Sequence, residues 1–258
     1  MVSKISIIGR GIDPAKHLSL SAIRALQVAD KVVGIESEME FWQELQKEFG
    51  IREIEDLGSL YRSQDNDMIN YGRFVDHVLS LSSTTCHLAL LVAGHPRLGV
   101  TFVELLKKRA PKHVEIEIIE GISSFDVMMT YLEIDPLEQG TVILDANRLL
   151  LFQYALEPAL SYFIYHVCSV GNSKTNFINP SLDNRLDLLK NYLLRYYHED
   201  KELVLCRVST GKNEDSTQIR STIAELNICV TKIDYSTTLY LPAEKPARLD
   251  WDYLNLLR

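Results

Sequence analysis

Two turns, each following a predicted strand, contain the residues of this chain best suited to chemistry. Residues 86–92 lead into Gly94-His95-Pro96, and residues 114–119 lead into Gly121-Ile122-Ser123-Ser124. Glycine allows a ligand to approach the backbone closely, and a histidine such as His95 can act as a base near neutral pH. Ligands of open α/β sheets bind at the carboxyl ends of neighbouring strands. The two turns therefore predict a small-molecule site.

The same residues also have structural interpretations. His95 fits a turn residue whose ring faces solvent, and Ser123-x-x-Asp126 before an apolar stretch has the pattern of a helix capping box. Capping would use Ser123 and leave Ser124 to donate to a ligand. The pair Gly9 and Gly11 lacks the third glycine of a dinucleotide fingerprint, because position 14 is proline. This departure argues against an NAD or FAD site.

Hydroxyl groups occur in two further segments. Tyr61 lies in a polar segment, where an aromatic side chain needs a docking site or a role. Tyr71 falls on the apolar stripe of a predicted helix, so core packing and a place in the site both remain open. Ser236-Thr237-Thr238 in the last predicted strand places hydroxyls on both faces of that strand, and one face could meet a ligand.

Composition narrows the class of protein. The chain has 258 residues, 46% of them hydrophobic, and a net charge of −8. Its longest basic cluster is Lys107-Lys108-Arg109, which argues against a nucleic-acid partner. No apolar run approaches the ~18 residues that a membrane span requires, and the first residues lack a signal peptide pattern. We therefore expect a cytoplasmic protein. The chain has no C-x-x-C spacing of the kind that would indicate a zinc site, and we expect no metal.

Strands that alternate with helices predict an α/β fold. The first half indicates mostly parallel strands. The second half has shorter strands without long crossovers, which favours a mixed sheet. We expect an N-terminal subdomain over residues 1–120 and a C-terminal subdomain over 121–258, with helices at 124–132 and 217–225.

The order and spacing of these motifs resemble the tetrapyrrole-methylase-like, or class III, S-adenosylmethionine-dependent methyltransferases. That family opens with a strand and Gly-x-Gly, as at Gly9-Arg10-Gly11, and has a central Gly-(His/Asp)-Pro loop like Gly94-His95-Pro96. Its Pro-Gly-x-Ser-Ser turn matches residues 120–124, with Glu120 in place of proline. Within the family the chain looks closest to the borosin-type peptide backbone α-N-methyltransferases, whose Leu-x-Ile-Asp-Pro and Ser-Thr-x-Leu-x-x-Pro elements match residues 132–136 and 236–242.

The resemblance implies a two-domain α/β fold that binds S-adenosylmethionine in the cleft between its halves and forms a homodimer. By position, the resemblance assigns cofactor contacts to Gly94, His95, Leu98, Val100, Ser123, Ser124, Val167, Thr237 and Thr238.

The resemblance also implies residues that act on the substrate. The peptide methyltransferases place a Tyr, an Arg and a second Tyr at the substrate amide; Tyr61 and Tyr71 fit the tyrosines, and Asp67 stands at the arginine position. An amide nitrogen is a poor nucleophile and needs a base and donors to its oxygen. Asp67 suits the base, and Arg62 and Arg73 lie near enough in sequence to supply donors.

Three functions remain open. The first is N-methylation of a peptide backbone; because the chain ends at Arg258, soon after its predicted final helix, we expect that peptide to be supplied in trans. The second is methylation of a tetrapyrrole or another small molecule. The third is a regulatory member that binds S-adenosylmethionine without catalysis.

Overall fold

The computed structural model describes residues 3–35, 39–176, 179–211, 215–245 and 249–257. The chain divides into two compact units, Met1–Tyr131 with Val208–Asp215, and Leu132–Arg207 with Ser216–Arg258. Across the described ranges, no helix is long and apolar enough to cross a membrane. Over the same ranges, no three His, Cys, Asp or Glu side chains are grouped as a metal site would require.

The first unit is built on a parallel five-stranded sheet with the order β3-β2-β4-β1-β5. Its strands are β1 (Ser3–Gly9), β2 (Lys31–Gly34), β3 (Ile54–Asp56), β4 (His87–Val92) and β5 (Val114–Ile119). Parallel neighbours need long crossovers, which helices supply here. The helices are α1 (Pro14–His17), α2 (Leu20–Val28), α3 (Met39–Phe49), α4 (Asp67–Ser82), α5 (Thr101–Arg109) and α6 (Ser124–Leu132).

Apolar side chains cover both faces of this sheet, as expected for parallel strands. In β1, Ile5 and Ile7 join a core that includes Phe74 of α4, whereas Ile8 joins a second core that includes Leu26 of α2 and Trp42 of α3. The alternation along β1 therefore places one layer of helices on each face. The carboxyl ends of the strands remain as the edge where loops can meet a ligand.

The second unit contains a mixed five-stranded sheet with the order β6-β7-β10-β8-β9. Strands β6 (Thr141–Asp145) and β7 (Ser161–Tyr165) are parallel, and the other neighbours, β8 (Glu202–Arg207), β9 (Thr217–Thr222) and β10 (Thr238–Leu241), pair antiparallel. Its helices are α7 (Ala146–Phe152), α8 (Leu186–Leu193) and α9 (Trp251–Leu256). The predicted α/β class, with a parallel N-terminal sheet and a mixed C-terminal sheet, is confirmed.

One predicted helix is wrong and one boundary differs in detail. Residues 217–225 begin as strand β9, because Thr217–Thr222 pairs along its full length with β8, from Arg207↔Thr217 to Glu202↔Thr222. Helix α6 has the predicted bounds. The first compact unit includes α6 as far as Tyr131 and so extends past residue 120, where the sequence predicts the subdomain boundary.

The chain segments at the ends of β1, β4 and β5 contact one another at three glycines. A Cβ added at Gly9 would lie 2.6 Å from the Gly121 nitrogen and 2.7 Å from the Gly94 oxygen, and a Cβ at Gly121 would lie 2.5 Å from that same oxygen. The Gly94 nitrogen also donates to the Gly11 oxygen at 2.9 Å. Three chain segments therefore meet backbone to backbone at the carboxyl end of the sheet, where a side chain has no room.

We expect Gly121→Ala to lower the free energy of unfolding by about 3 kcal/mol, because the new methyl group must displace backbone atoms of Gly9 and Gly94. Urea unfolding followed by circular dichroism measures the change. Gly72→Ala in α4 is the matched control: its added Cβ meets only the Arg109 guanidinium, at 3.7 Å or more. A helix-interior alanine should raise stability by roughly 0.5–1 kcal/mol. Equal effects of the two substitutions would contradict the close contact.

Candidate functional site

The turn after β4 places Gly94, His95, Leu98 and Val100 beside one another. Gly94 has a φ of 68°, a conformation that favours glycine. The Arg97 amide donates to Nδ1 of half-buried His95 at 3.1 Å, so the neutral ring carries its proton on Nε2. The Leu98 amide donates to the His95 carbonyl at 3.0 Å, and Val100 is the N-cap residue of α5. The imidazole thus organises its own turn.

Ser123 starts helix α6 through a capping box. Its amide and its hydroxyl both donate to Asp126 Oδ2, at 2.7 and 2.6 Å, and the Asp126 amide donates back to the Ser123 hydroxyl at 3.3 Å. The structural interpretation of Ser123 therefore holds, because its side chain is used to begin the helix. Half-buried Ser124 occupies the first helical position.

The predicted catalytic residues Tyr61, Asp67 and Tyr71 lie together in the first unit. The Tyr61 hydroxyl donates to Asp67 Oδ1 at 2.8 Å, and its ring stacks on Phe74 with centroids 6.4 Å apart. Burial and the Asp67 carboxylate raise the pKa of Tyr61, so the phenol stays protonated and acts as a donor. Tyr71 is half-buried and packs against the core that contains Phe74.

Asn70 is the residue that the sequence analysis missed in this loop. It is fully buried; its Oδ1 accepts from the Arg62 amide at 2.9 Å and from Arg73 Nη1 at 2.7 Å, and its Nδ2 donates to the Arg62 carbonyl at 2.9 Å. Arg73 also pairs with Asp65. Asn70 stands four residues before Phe74 on the buried stripe of α4, and a polar residue at such a position is a signal that the sequence contains. Arg73 is thus engaged in closing the loop, whereas the Arg62 side chain is exposed.

In the second unit, Asp234 accepts hydrogen bonds from Ser236 and from Thr237, one of the cofactor contacts that the resemblance implies. Its Oδ1 accepts from Thr237 Oγ1 at 2.8 Å, and from the amide and the hydroxyl of Ser236 at 3.0 and 2.9 Å; its Oδ2 accepts from Arg207 at 3.2 Å. Burial raises the pKa of Asp234, but the bonds from Thr237, Ser236 and Arg207 outweigh burial, so the pKa is lowered overall. Buried Thr238 pairs with Cys206 in the sheet.

Thr237 also borders a cavity of about 240 Å³ in the second unit, lined by Leu205, Arg207, Thr217, Ile219, Lys232, Asp234 and Thr237. Val167, the remaining predicted contact, is fully buried in the core of that unit. Its carbonyl accepts from Asn184 Nδ2 at 2.8 Å. A ligand that reaches this segment would therefore contact its backbone rather than its side chain.

The sequence model of the tetrapyrrole (corrin/porphyrin) methylases matches residues 4–227.

Curated relatives include two borosin cyclic peptide precursors. The chain is 26% identical over 247 residues to the methyltransferase/ribosomally synthesized type II borosin cyclic peptide precursor pgiMA1 of Phlebiopsis gigantea, covering 92% of this chain and 42% of that protein. It is 25% identical over 258 residues to the type I precursor sveMA of Serendipita vermifera subsp. bescii, covering 98% of this chain and 62% of that protein. The chain thus spans less than two thirds of these relatives' lengths.

Among solved structures, the uroporphyrin-III-C-methyltransferase of Thermus thermophilus superposes with a TM-score of 0.61 at 17% identity, covering 93% of this chain and 92% of that one. This likeness shows the fold.

We expect Asn70→Ala to lower the free energy of unfolding by about 3 kcal/mol, because the Arg62 amide, the Arg62 carbonyl and the Arg73 guanidinium lose their bonds to the buried Asn70 side chain. The loss should be local, so hydrogen exchange at the Arg62 amide should accelerate more than exchange in β4. Ile69→Ala, one position away and 53% exposed, is the control and should change neither quantity appreciably. An unchanged exchange rate at Arg62 in Asn70→Ala would refute this role.

We expect Asp234→Asn to flatten the dependence of stability on pH in acid. The folded-state pKa of Asp234 is depressed, so its contribution is present above the unfolded pKa, near 3.8, and is lost as pH falls through the folded value. The melting temperature of the wild type should therefore fall more steeply below about pH 4 than that of the variant. The exposed carboxylate of Asp252 on α9 supplies the control, Asp252→Asn, which should parallel the wild type.

Proposed function

Because the chain belongs to the tetrapyrrole (corrin/porphyrin) methylase family, we propose that it is an S-adenosylmethionine-dependent methyltransferase whose acceptor is a peptide backbone supplied by a separate chain. The match over residues 4–227 carries the first part of this proposal, since it includes the turns after β1, β4 and β5. Relatives named as borosin cyclic peptide precursors support a peptide as the acceptor. The homodimer that the resemblance implies is part of the same proposal.

The donor chemistry of the predicted contacts fits this cofactor. The first turn of α6 suits the carboxylate of its methionine part, because helix N-termini attract anions. Backbone groups of the Gly94 turn would line the same end of the sheet. In the second unit, Thr237, Thr238 and the backbone of Val167 would contact the adenine. The bound cofactor supplies a methyl group on a positively charged sulfur, and the chain's task is then to position the acceptor in line with it.

Tyr61 and Asp67 form the part of the site that would act on the acceptor. The phenol is held in its protonated form, so once a substrate amide oxygen replaces Asp67 as its acceptor, its O–H can donate to that oxygen as negative charge develops there. The 2.8 Å bond to Asp67 fixes the position of the hydroxyl before a substrate arrives. The hydroxyl then has only to turn its O–H from the carboxylate to the substrate oxygen in order to stabilise negative charge there.

The family itself favours a second acceptor, a tetrapyrrole, and one experiment separates the two. Calorimetry with S-adenosylmethionine and with its demethylated product, S-adenosylhomocysteine, first measures cofactor binding. The wild type is then incubated with S-adenosylmethionine and either a pool of synthetic apolar peptides or uroporphyrinogen III, and mass spectrometry locates any added methyl group. We expect both compounds to bind and a backbone nitrogen to gain the methyl group.

The other results are equally informative. A methylated tetrapyrrole would replace the proposed acceptor. Binding without transfer to either probe would identify a non-catalytic member. Absence of binding by both compounds would refute the proposal altogether.

We expect Tyr61→Phe to reduce the rate of methyl transfer roughly 100-fold, because one donor to the developing oxyanion is lost. Calorimetry should find the affinity for S-adenosylhomocysteine unchanged, since the hydroxyl is assigned to the acceptor. The control is Tyr253→Phe on the exposed face of α9, which should retain wild-type transfer. A Tyr61→Phe enzyme that is as fast as wild type would remove Tyr61 from the reaction.

A further inference from the structure

A histidine and an aspartate meet at the carboxyl ends of two parallel strands in the second unit. Strands β6 and β7 are neighbours, with Asp145 opposite Tyr165 in register, so the residues that end them lie side by side. Nδ1 of His166, the residue after β7, lies 2.6 Å from Oδ2 of Asp145, the last residue of β6. Neither residue was singled out by sequence motifs, because the pair is created by strand register across 21 residues.

The histidine of this pair has a costly backbone conformation. His166 has φ 58° and ψ 32°, the left-handed region that a residue with a side chain rarely adopts. Strain of this kind persists only where the surroundings enforce it, and it is frequent at functional sites.

Two asparagines and a helix cap enforce the conformation. Asn147 donates to the Ser169 carbonyl at 2.9 Å and accepts from the Gly171 amide at 2.8 Å, which pins the segment after His166. Asn184 donates to the Val167 carbonyl at 2.8 Å. Asp145 is fixed in turn, because its Oδ1 accepts from the Arg148 amide at 2.8 Å and caps α7.

This geometry defines what the imidazole can do. A carboxylate at Nδ1 holds the proton of the neutral ring on that nitrogen, and Nε2 is then the acceptor. The His166 side chain is 41% exposed, so the ring is open to a reactant. Burial raises the pKa of Asp145, but the bonds from His166 and the Arg148 amide outweigh burial and lower it overall. The carboxylate therefore stays charged and stabilises the ring when it becomes protonated.

We propose that Nε2 of His166, oriented by Asp145, takes the proton that the methyl acceptor must lose. The inference rests on the proposed function and deepens it, since the neighbouring Val167 is one of the predicted cofactor contacts. As the acceptor nitrogen bonds to the methyl carbon, the carbon–sulfur bond breaks and its electron pair stays on sulfur. Nε2 takes the N–H proton as the nitrogen begins its attack, so negative charge develops on the acceptor oxygen before the N–C bond is complete, and the imidazolium later returns the proton to water.

The first test needs no methyl acceptor. Diethylpyrocarbonate modifies exposed imidazoles, and mass spectrometry of digests reports His166 and His198 separately. His198 is the matched control, because it also pairs with a carboxylate, that of Asp200 at 3.3 Å, and is 77% exposed in the same unit. We expect saturating S-adenosylhomocysteine to protect His166 and to leave His198 reactive. Equal reactivity of His166 with and without the bound product would overturn the proposal.

The second test uses the acceptor that the wild type methylates. His166→Gly accepts the positive φ and leaves room for added imidazole, and His166→Asn tolerates the same backbone while keeping a polar side chain. We expect both variants to lose about 100-fold or more in transfer rate while binding S-adenosylhomocysteine normally. Free imidazole should restore part of the rate of His166→Gly, and His198→Ala should match the wild type.

The remaining outcomes separate this inference from the proposed function. A wild-type rate in both His166 variants overturns the proton-transfer role while leaving the methyltransferase intact. A loss of rate that follows a loss of product binding, without rescue by imidazole, likewise overturns it and makes His166 structural. A wild type that binds neither cofactor form refutes the proposed function first, and this inference with it.

Discussion

The architecture of the first unit depends on the contact of three backbones at the carboxyl end of its parallel sheet. Gly9, Gly94 and Gly121 follow or end strands β1, β4 and β5, and an added Cβ at Gly9 or Gly121 would lie within 2.7 Å of atoms of the other segments. Parallel strands bring their carboxyl ends to one edge, so the turns that leave them compete for the same space. Because glycine has no side chain, the three turns can share this space, and their contact fixes the positions of the Gly94 turn and of the start of α6. These glycines are thus explained by the approach of chain to chain, before any ligand is considered.

The polar side chains around these turns are likewise used to hold the local backbone. Ser123 is used by the capping box with Asp126, and Thr237 by the Asp234 turn. Most buried hydroxyls in proteins are hydrogen-bonded, and here a carboxylate three residues away in the chain supplies the partner. Recognition of a cofactor by these segments would therefore rely on backbone groups that the hydroxyls hold in place. Substituting such a serine changes a ligand site through the backbone that it fixes.

The sequence predicted features that depend on neighbours along the chain. Helix α6 has its predicted bounds because a capping box and an apolar stripe are both local signals. The parallel and mixed sheets followed from the lengths of the crossovers. Strand β9 was wrongly predicted as a helix, because its secondary structure depends on pairing with β8. Paired residues of these two strands are ten or more positions apart in the chain, as at Arg207↔Thr217. Three side-chain arrangements could not be predicted for the same reason, because loop conformation and strand register create them. They are the bond between Tyr61 and Asp67, the bonds of Asn70 to its loop, and the pair of Asp145 with His166.

The chain presents two carboxylates in related roles, and their partners decide what each can do. Asp67 accepts from a phenol whose pKa is raised, so the proton remains on Tyr61, which can donate it to a substrate oxygen that takes the place of Asp67 as acceptor. Asp145 accepts from an imidazole, whose second nitrogen can take up a proton while the carboxylate balances the new charge. Methylation of an N–H group needs both functions, a donor where negative charge develops and an acceptor for the departing proton. Asp67 in place of arginine gives the Tyr61 loop a phenol beside a carboxylate instead of a cationic donor. Because that carboxylate is already the acceptor of the phenol proton, the proposed base for the acceptor lies elsewhere, at the ends of β6 and β7.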